Sequence, residues 1–294
     1  MPASAPKIKV GTRLGSNLSV LGIVDDRGTE PVYLVWHHKS WCPMLCKVLQ
    51  SEEAARREAD ILSSLAHPNI VRCFGVDGST RLLLEYLEGP NLHQLLKSRP
   101  KQQLDISDAL RISIYIGSAL SHAHDRGLLH LDIKPSNIVV AKGRPVLCDF
   151  DIARRQAAPR PSSARGTEGY VAPEECLLEE VTPAADIFGL GVTLYELLTG
   201  YMPFPERTEA DPYPQISKPP TPLQRRRPAV RPGLEKLILR CLKRDPKARP
   251  QLAELLPSLH RYISRGPQMW PRGFSPEPEK KRTPRDQRLK IQLN

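Results

Sequence analysis

The chain carries the stretch HLDIKPSN at residues 130–137 and, twelve residues after its asparagine, the triplet DFD at residues 149–151. The carboxylate of Asp132 can accept the proton of an attacking hydroxyl, and the lysine two residues later can steady a phosphoryl group in transit. The amide oxygen of Asn137 and the carboxylate of Asp149 are hard ligands of the kind that Mg²⁺ prefers. Together the two segments contain the parts that phosphoryl transfer requires.

Upstream of these segments, short alternating apolar runs predict strands, and one run has helical periodicity. The predicted strands are residues 19–24, 32–36, 45–49, 71–76 and 82–85, and the predicted helix is residues 52–65. Five strands and one helix within some ninety residues predict a small, mostly antiparallel lobe.

Beyond Gly89-Pro90 the sequence becomes mainly helical in character. Helices are predicted at residues 92–97, 106–126, 184–199, 234–242 and 251–262. The proline-rich stretch 203–232 cannot form one continuous helix, because proline removes a helical hydrogen bond. From residue 264 onward Pro, Lys, Arg and Gln dominate, which predicts a flexible tail.

In this order and spacing, the motifs resemble those of the protein kinase family, over residues 20–260. The resemblance implies an α+β, bilobal fold with a small, mainly antiparallel β lobe that carries one helix, and a larger, mainly helical lobe. The predicted kinase domain is residues 10–263, divided into lobes at 10–87 and 88–263. A leader at residues 1–9 and a basic, proline-rich tail at 264–294 flank it.

The resemblance also implies roles for individual residues. Lys47 would bind the α- and β-phosphates of ATP, and Glu58, eleven residues later, would hold that lysine in place. Backbone groups of Glu85 and Leu87 would meet the adenine. The full set of implied residues is Asp132 and Lys134 for catalysis, Lys47, Glu58, Val32, Glu85, Leu87, Asn137, Val139 and Asp149 for the nucleotide, and Asn137 and Asp149 for Mg²⁺ or Mn²⁺.

Further motifs of the same family follow. The stretch GTEGYVAPE at residues 166–174 resembles the end of an activation segment. Asp186 resembles the buried aspartate that anchors the catalytic loop, and Arg249 the usual partner of Glu174. The catalytic-loop lysine and Thr167 are similar to those of serine/threonine kinases. The compact domain, with no membrane anchor in the sequence, resembles bacterial relatives of the eukaryotic enzymes. The implied partners are proteins with serine or threonine acceptors.

The glycine-rich loop departs most from the family. Counting back from Val32, its three glycine positions fall on Asp25, Arg27 and Glu30. Glycines there let backbone amides approach phosphates without steric cost, so nucleotide affinity is expected to fall. Only Gly28 softens the turn.

Other substitutions bear on the nucleotide and on control. Leu45 replaces a small alanine over the adenine, so it either points away or narrows the pocket. Asp151 replaces the glycine of the metal loop, which should flip less freely or gain a carboxylate on the metal side. Leu131 replaces the arginine that usually grips an activation-loop phosphate. Ser162 and Ser163 are therefore interpreted first as ordinary loop serines and second as phosphorylation sites.

Two functions from different classes remain open at this point. An active serine/threonine kinase is favoured by the intact lysine, glutamate, aspartates and asparagine. A pseudokinase, which would use the same fold as a nucleotide-binding or scaffold module, is favoured by the altered glycine loop and by Leu45.

Charge and composition add little to this choice. Of the net charge of +11, residues 221–294 contribute +13 and the preceding residues −2. The basic part lacks interleaved aromatic residues that would stack on bases, so nucleic acid is disfavoured, and the tail is a candidate to dock an acidic partner.

The sequence predicts a cytoplasmic protein without a membrane segment. No apolar run approaches the roughly 18 residues that cross a bilayer, and residues 1–10 lack the apolar core of a signal peptide. The six scattered cysteines contain no CxxC pair and are interpreted as reduced thiols.

Overall fold

A computed structural model describes residues 8–26, 29–158, 163 and 166–263 of the 294-residue chain. Most of the predicted leader, all of the predicted tail, and Arg27, Gly28 and Ser162 lie outside the described residues. Within the described residues, no helix is both long enough and apolar enough to cross a membrane.

The small lobe is one antiparallel sheet of six strands with one helix. The strands are β1 (Arg13–Leu14), β2 (Leu18–Asp25), β3 (Val32–His37), β4 (Cys42–Val48), β5 (Cys73–Asp77) and β6 (Arg81–Glu85), in the order β1-β2-β3-β4-β6-β5. Five of these match predicted strands; β1 was not predicted, because two residues carry no readable alternation. The helix, α1 (Glu52–Ser63), begins at Ser51, whose hydroxyl accepts a hydrogen bond from the amide of Ala54.

The two faces of this sheet have different partners. One face carries a closed apolar cluster that includes Tyr33, Val35 and Cys46. Side chains alternate along a strand, so Leu45 and Lys47 on β4 lie on the opposite face, which looks toward the large lobe. The pattern of β4 therefore aims Lys47 into the junction between the lobes.

The large lobe is mainly helical and contains the main apolar core. Its elements are α2 (Leu92–Lys97), α3 (Ile106–His124), β7 (Leu128–Leu129), β8 (Ile138–Ala141), β9 (Arg144–Leu147), β10 (Arg154–Arg155), α4 (Pro173–Cys176), α5 (Pro183–Thr199), α6 (Pro214–Ser217), α7 (Leu223–Arg226), α8 (Pro232–Cys241) and α9 (Leu252–His260). The five predicted helices are present, most of them with ends shifted by one or two residues. The proline-rich stretch forms two separate four-residue helices, α6 and α7. The α+β bilobal architecture is confirmed.

Backbone contacts hold the chain at the junction between the lobes. The amide of Val140 donates to the carbonyl oxygen of Pro90 at 2.9 Å, and a Cβ at Gly89 would lie 2.0 Å from the Val140 carbonyl oxygen. Position 89 therefore requires glycine. On the other side, Leu147 exchanges backbone hydrogen bonds with Asn69 and Val71, so the end of β9 is fixed beneath the small lobe.

Candidate active site

Lys47 connects the two lobes through carboxylates. Its ammonium donates to Glu58 on α1 at 2.9 and 3.2 Å and to Asp149, just beyond β9, at 2.9 Å. Glu58 is 1% exposed. Because Asp149 belongs to the large lobe, this one cation holds β4, α1 and the metal-loop segment in a single arrangement.

Electrostatic interactions keep Lys47 and Asp149 ionised. Burial disfavours the charged ammonium, but Asp149 and Glu58 outweigh burial and hold the pKa of Lys47 above its ordinary value. Burial likewise disfavours the carboxylate of Asp149, yet the adjacent Lys47 lowers the pKa of Asp149 below its ordinary value. The ammonium of Lys47 and the carboxylate of Asp149 are therefore both charged at neutral pH.

The catalytic loop is held from below by Asp186 on α5. Its carboxylate accepts the amides of His130 at 3.0 Å and Leu131 at 2.7 Å, and contacts Nε2 of His124 at 2.8 Å. Leu131 takes a left-handed conformation, with φ at 66°, which a leucine adopts only when its surroundings impose it. This turn sets the direction of the backbone at the next residue, Asp132.

Asp132 is the centre of a hydrogen-bond network. One carboxylate oxygen accepts Lys134 at 2.6 Å and Asn137 at 2.9 Å; the other accepts the hydroxyl of Thr167 at 2.8 Å and its amide at 3.2 Å. Lys134 also donates to the Thr167 hydroxyl. A hydroxyl between a carboxylate and an ammonium is the arrangement that an acceptor alcohol needs for phosphoryl transfer.

The donor set fits a magnesium nucleotide. Asn137 donates both amide hydrogens to Asp132, to the main-chain oxygen at 3.0 Å and to the carboxylate, so its amide oxygen is the atom it can offer to a cation. With Asp149 it supplies two hard oxygen ligands. The described residues contain no group of three or more His, Cys, Asp or Glu arranged to hold a metal.

Residues predicted to meet the adenine lie around the same junction. Val32 and Val139 are half-buried, and Leu87 is buried. The amide of Glu85 donates to the carbonyl oxygen of Arg72 at 2.9 Å, so a main-chain contact from Glu85 to a base would use its carbonyl oxygen. Leu45 lies on the same face of β4 as Lys47, and that it narrows the pocket stays a prediction.

The remaining departures have specific surroundings. Asp151 does not have a positive φ, and its carbonyl oxygen accepts Arg57 of α1 at 2.6 Å, with the carboxylate 3.8 Å from the same guanidinium. Its side chain therefore faces α1. His130 and Phe150 stack edge to face with ring centroids 4.5 Å apart. Ser163 is exposed.

A buried ion pair fixes the end of the activation segment. Arg249 donates to both carboxylate oxygens of Glu174 at 2.7 Å, and the two side chains are 0% and 1% exposed. The same guanidinium reaches the carbonyl oxygens of Lys243, Ala184 and Arg244. Every donor of this buried charge is thus engaged.

Three residues with a place in the site received no role from the sequence. Thr167 contacts Asp132, Arg57 contacts the metal loop, and the carboxylate of Glu30 lies 3.6 Å from the ammonium of Lys47. In the sequence, Thr167 indicates only the serine/threonine class of kinase. Glu30 was noted as a missing glycine, and its contact with Lys47 depends on the hairpin register.

Comparisons with known proteins agree with this geometry. Residues 30–262 match the family model described as protein kinase domain. The chain is 36% identical over 219 residues to serine/threonine-protein kinase pkn3 of Myxococcus xanthus, which covers 68% of this chain and 40% of that protein. It is 31% identical over 261 residues to serine/threonine-protein kinase PrkC of Bacillus subtilis, covering 83% and 40%. It therefore spans about two fifths of the length of these relatives.

A solved structure gives the same result at the level of the fold. The kinase domain of PknI from Mycobacterium tuberculosis superposes with a TM-score of 0.68 at 27% identity, over 87% of this chain and 99% of that one.

Proposed function

The chain belongs to the protein kinase family, and on that premise we propose that it transfers the γ-phosphoryl group of ATP to serine or threonine hydroxyls of proteins. The observation that carries the proposal is the assembled site: Lys47 bridges Glu58 and Asp149, each at 2.9 Å, while Asp132 already holds a threonine hydroxyl at 2.8 Å. We assign the domain to residues 10–263, with ATP and Mg²⁺ or Mn²⁺ as cofactors.

Each residue has a defined task in this proposal. Lys47 binds the α- and β-phosphates, and Glu58 holds its ammonium in place. Asn137 and Asp149 would hold the cation, which offsets phosphate charge when bound. Asp132 accepts the hydrogen bond of the acceptor hydroxyl and aligns it, and Lys134 stands beside the same position at 2.6 Å from Asp132.

The place of action and partners are part of the proposal. All six cysteines are free thiols, which fits a reducing compartment such as the cytoplasm. The lysine of the catalytic loop and Thr167 support serine or threonine acceptors. The basic tail at residues 264–294, which lies outside the described residues, is proposed as a dock for an acidic partner, and nucleic acid is not proposed as a ligand.

Phosphate transfer from labelled ATP tests the function directly. We expect incorporation into the protein itself or a generic basic protein with Mg²⁺ or Mn²⁺, and a loss of about a hundredfold or more in Asp132→Ala, because the aligning carboxylate is gone. The affinity for ATP should stay within about twofold, since Asp132 does not face the α- and β-phosphates. Asp60→Ala, on the exposed side of α1, is the matched control.

A pseudokinase remains the second candidate, favoured by the position of Glu30 against Lys47. Nucleotide-dependent stabilisation without any transfer by the wild type would favour it. Transfer that persists in Asp132→Ala would show that the role assigned to this residue is wrong.

A further inference from the structure

The hairpin between β2 and β3 holds Glu30 at its base. Asp25 pairs with Val32, and Glu30 lies two residues before β3. The carbonyl oxygen of Pro31 accepts the amide of Val48 at 3.0 Å, and the hydroxyl of Thr29 accepts the side-chain amide of Gln50 at 2.8 Å. A backbone contact after Glu30 and a side-chain contact before it thus connect this segment to the end of β4 and to Gln50 just beyond it.

The carboxylate of Glu30 is directed at Lys47. Its oxygen lies 3.6 Å from the ammonium, and the two side chains are 17% and 9% exposed. The side chain therefore lies within the site and does not extend into solvent.

Lys47 already has a surplus of negative charge around it. Glu58 and Asp149 contact the ammonium at 2.9 Å from α1 and from the metal loop, and Glu30 adds a third carboxylate from the hairpin. Nucleotide phosphates have to approach the same ammonium from the hairpin side, because the hairpin is the element that covers them in this family. Two anions at one ammonium repel each other in a partly desolvated site.

We propose that Glu30 is a built-in competitor of the nucleotide phosphates for Lys47, and that its carboxylate has to leave the ammonium before ATP can bind productively. The inference rests on the proposed function and adds an internal gate on the nucleotide. It concerns the phosphates alone: adenosine, which has no phosphates, does not compete with Glu30. A glutamate at this position thus lowers affinity for nucleoside polyphosphates without changing the fit of the base.

Paired calorimetric titrations with magnesium ATP and with adenosine test the gate. Glu30→Gln keeps the size of the side chain and removes its charge, and Glu53→Gln on the exposed start of α1 is the control for net charge. We expect Glu30→Gln to bind magnesium ATP about tenfold more tightly than wild type, since one like-charge contact is removed, while adenosine changes by less than about twofold. Glu53→Gln should match wild type with both ligands.

Each other result has a defined meaning. Unchanged or weaker ATP binding in Glu30→Gln overturns the gate, because the carboxylate would then be neutral to the nucleotide or would help position Lys47. An equal gain for ATP and adenosine also overturns it, since the effect would be one of space in the pocket. ATP binding that is the same in wild type and Glu30→Gln overturns the gate alone; absence of ATP binding in every variant overturns the proposed function together with it.

Discussion

Replacing Lys47 should cost more stability than replacing its partner Glu58. In Lys47→Met the carboxylate of Glu58, 1% exposed, loses its cation, and breaking a buried pair in this way costs roughly 3–5 kcal/mol. In Glu58→Gln the lysine keeps Asp149 at 2.9 Å and Glu30 at 3.6 Å, and the glutamine can still accept a hydrogen bond. That change should cost only about 1 kcal/mol.

The double variant Lys47→Met/Glu58→Gln separates stability from function. It removes the buried charge of Glu58, and the carboxylates of Asp149 and Glu30 that also lose Lys47 are 43% and 17% exposed, so it should be more stable than Lys47→Met. Phosphate transfer should stay absent, because the cation for the phosphates is gone. For a domain of this size about 1 kcal/mol corresponds to roughly 2–4 °C, so Lys47→Met should melt about 6–20 °C lower.

Urea unfolding followed by fluorescence of Trp36 and Trp41 in the small lobe provides the measurement. At acid pH the loss of stability caused by Lys47→Met should be smaller. Burial raises the pKa of Glu58 and Lys47 opposes that rise, so without Lys47 the folded state prefers the neutral carboxyl of Glu58. The penalty is then present at pH 7 and is lost as the pH falls toward the unfolded-state pKa of Glu58. A loss of stability in Glu58→Gln as large as that in Lys47→Met would contradict this prediction, and so would a double variant that is no more stable than Lys47→Met.

Two further predictions concern groups around the site. Burial raises the pKa of Glu175 to about 8, so the folded state binds a proton that the unfolded state releases. The free energy of unfolding should therefore decline from about pH 5 to pH 8. Melting curves of Glu175→Gln should not show that decline, and an unchanged dependence on pH would contradict the prediction. Arg57→Ala should lower turnover about fivefold, because about 1 kcal/mol of contact between α1 and the Asp151 carbonyl is lost. Its melting temperature should stay within a few degrees of wild type, because the side chain is 47% exposed. Unchanged turnover would show that Arg57 has no role in the site.

The sequence predicted the positions of most elements because their signals are local. The alternation of apolar residues predicted β4 and the helical period predicted α1, while the contact between Lys47 and Glu58 was implied by the resemblance to protein kinases. The catalytic loop was recognised in the same way, since its residues lie within a single eight-residue stretch.

What the sequence could not predict involves long-range placement. Arg57 meets Asp151 across 94 residues, and Thr167 meets Asp132 across 35, so neither contact has a periodic signal. Glu30 could be identified as a missing glycine, but its direction depends on how the hairpin is fixed by β4. Strand β1 is too short for its alternation to be read.

Because the catalytic loop is attached to α5, loss of activity on heating should follow the unfolding of the core. Fourteen of the seventeen residues of this helix are buried, and its Asp186 holds the amides of His130 and Leu131. Surface loops commonly open well below the temperature at which a domain melts. Here the loop that carries Asp132 can come apart only when the centre of the large lobe does, so thermal inactivation of this site reports the melting of the whole lobe.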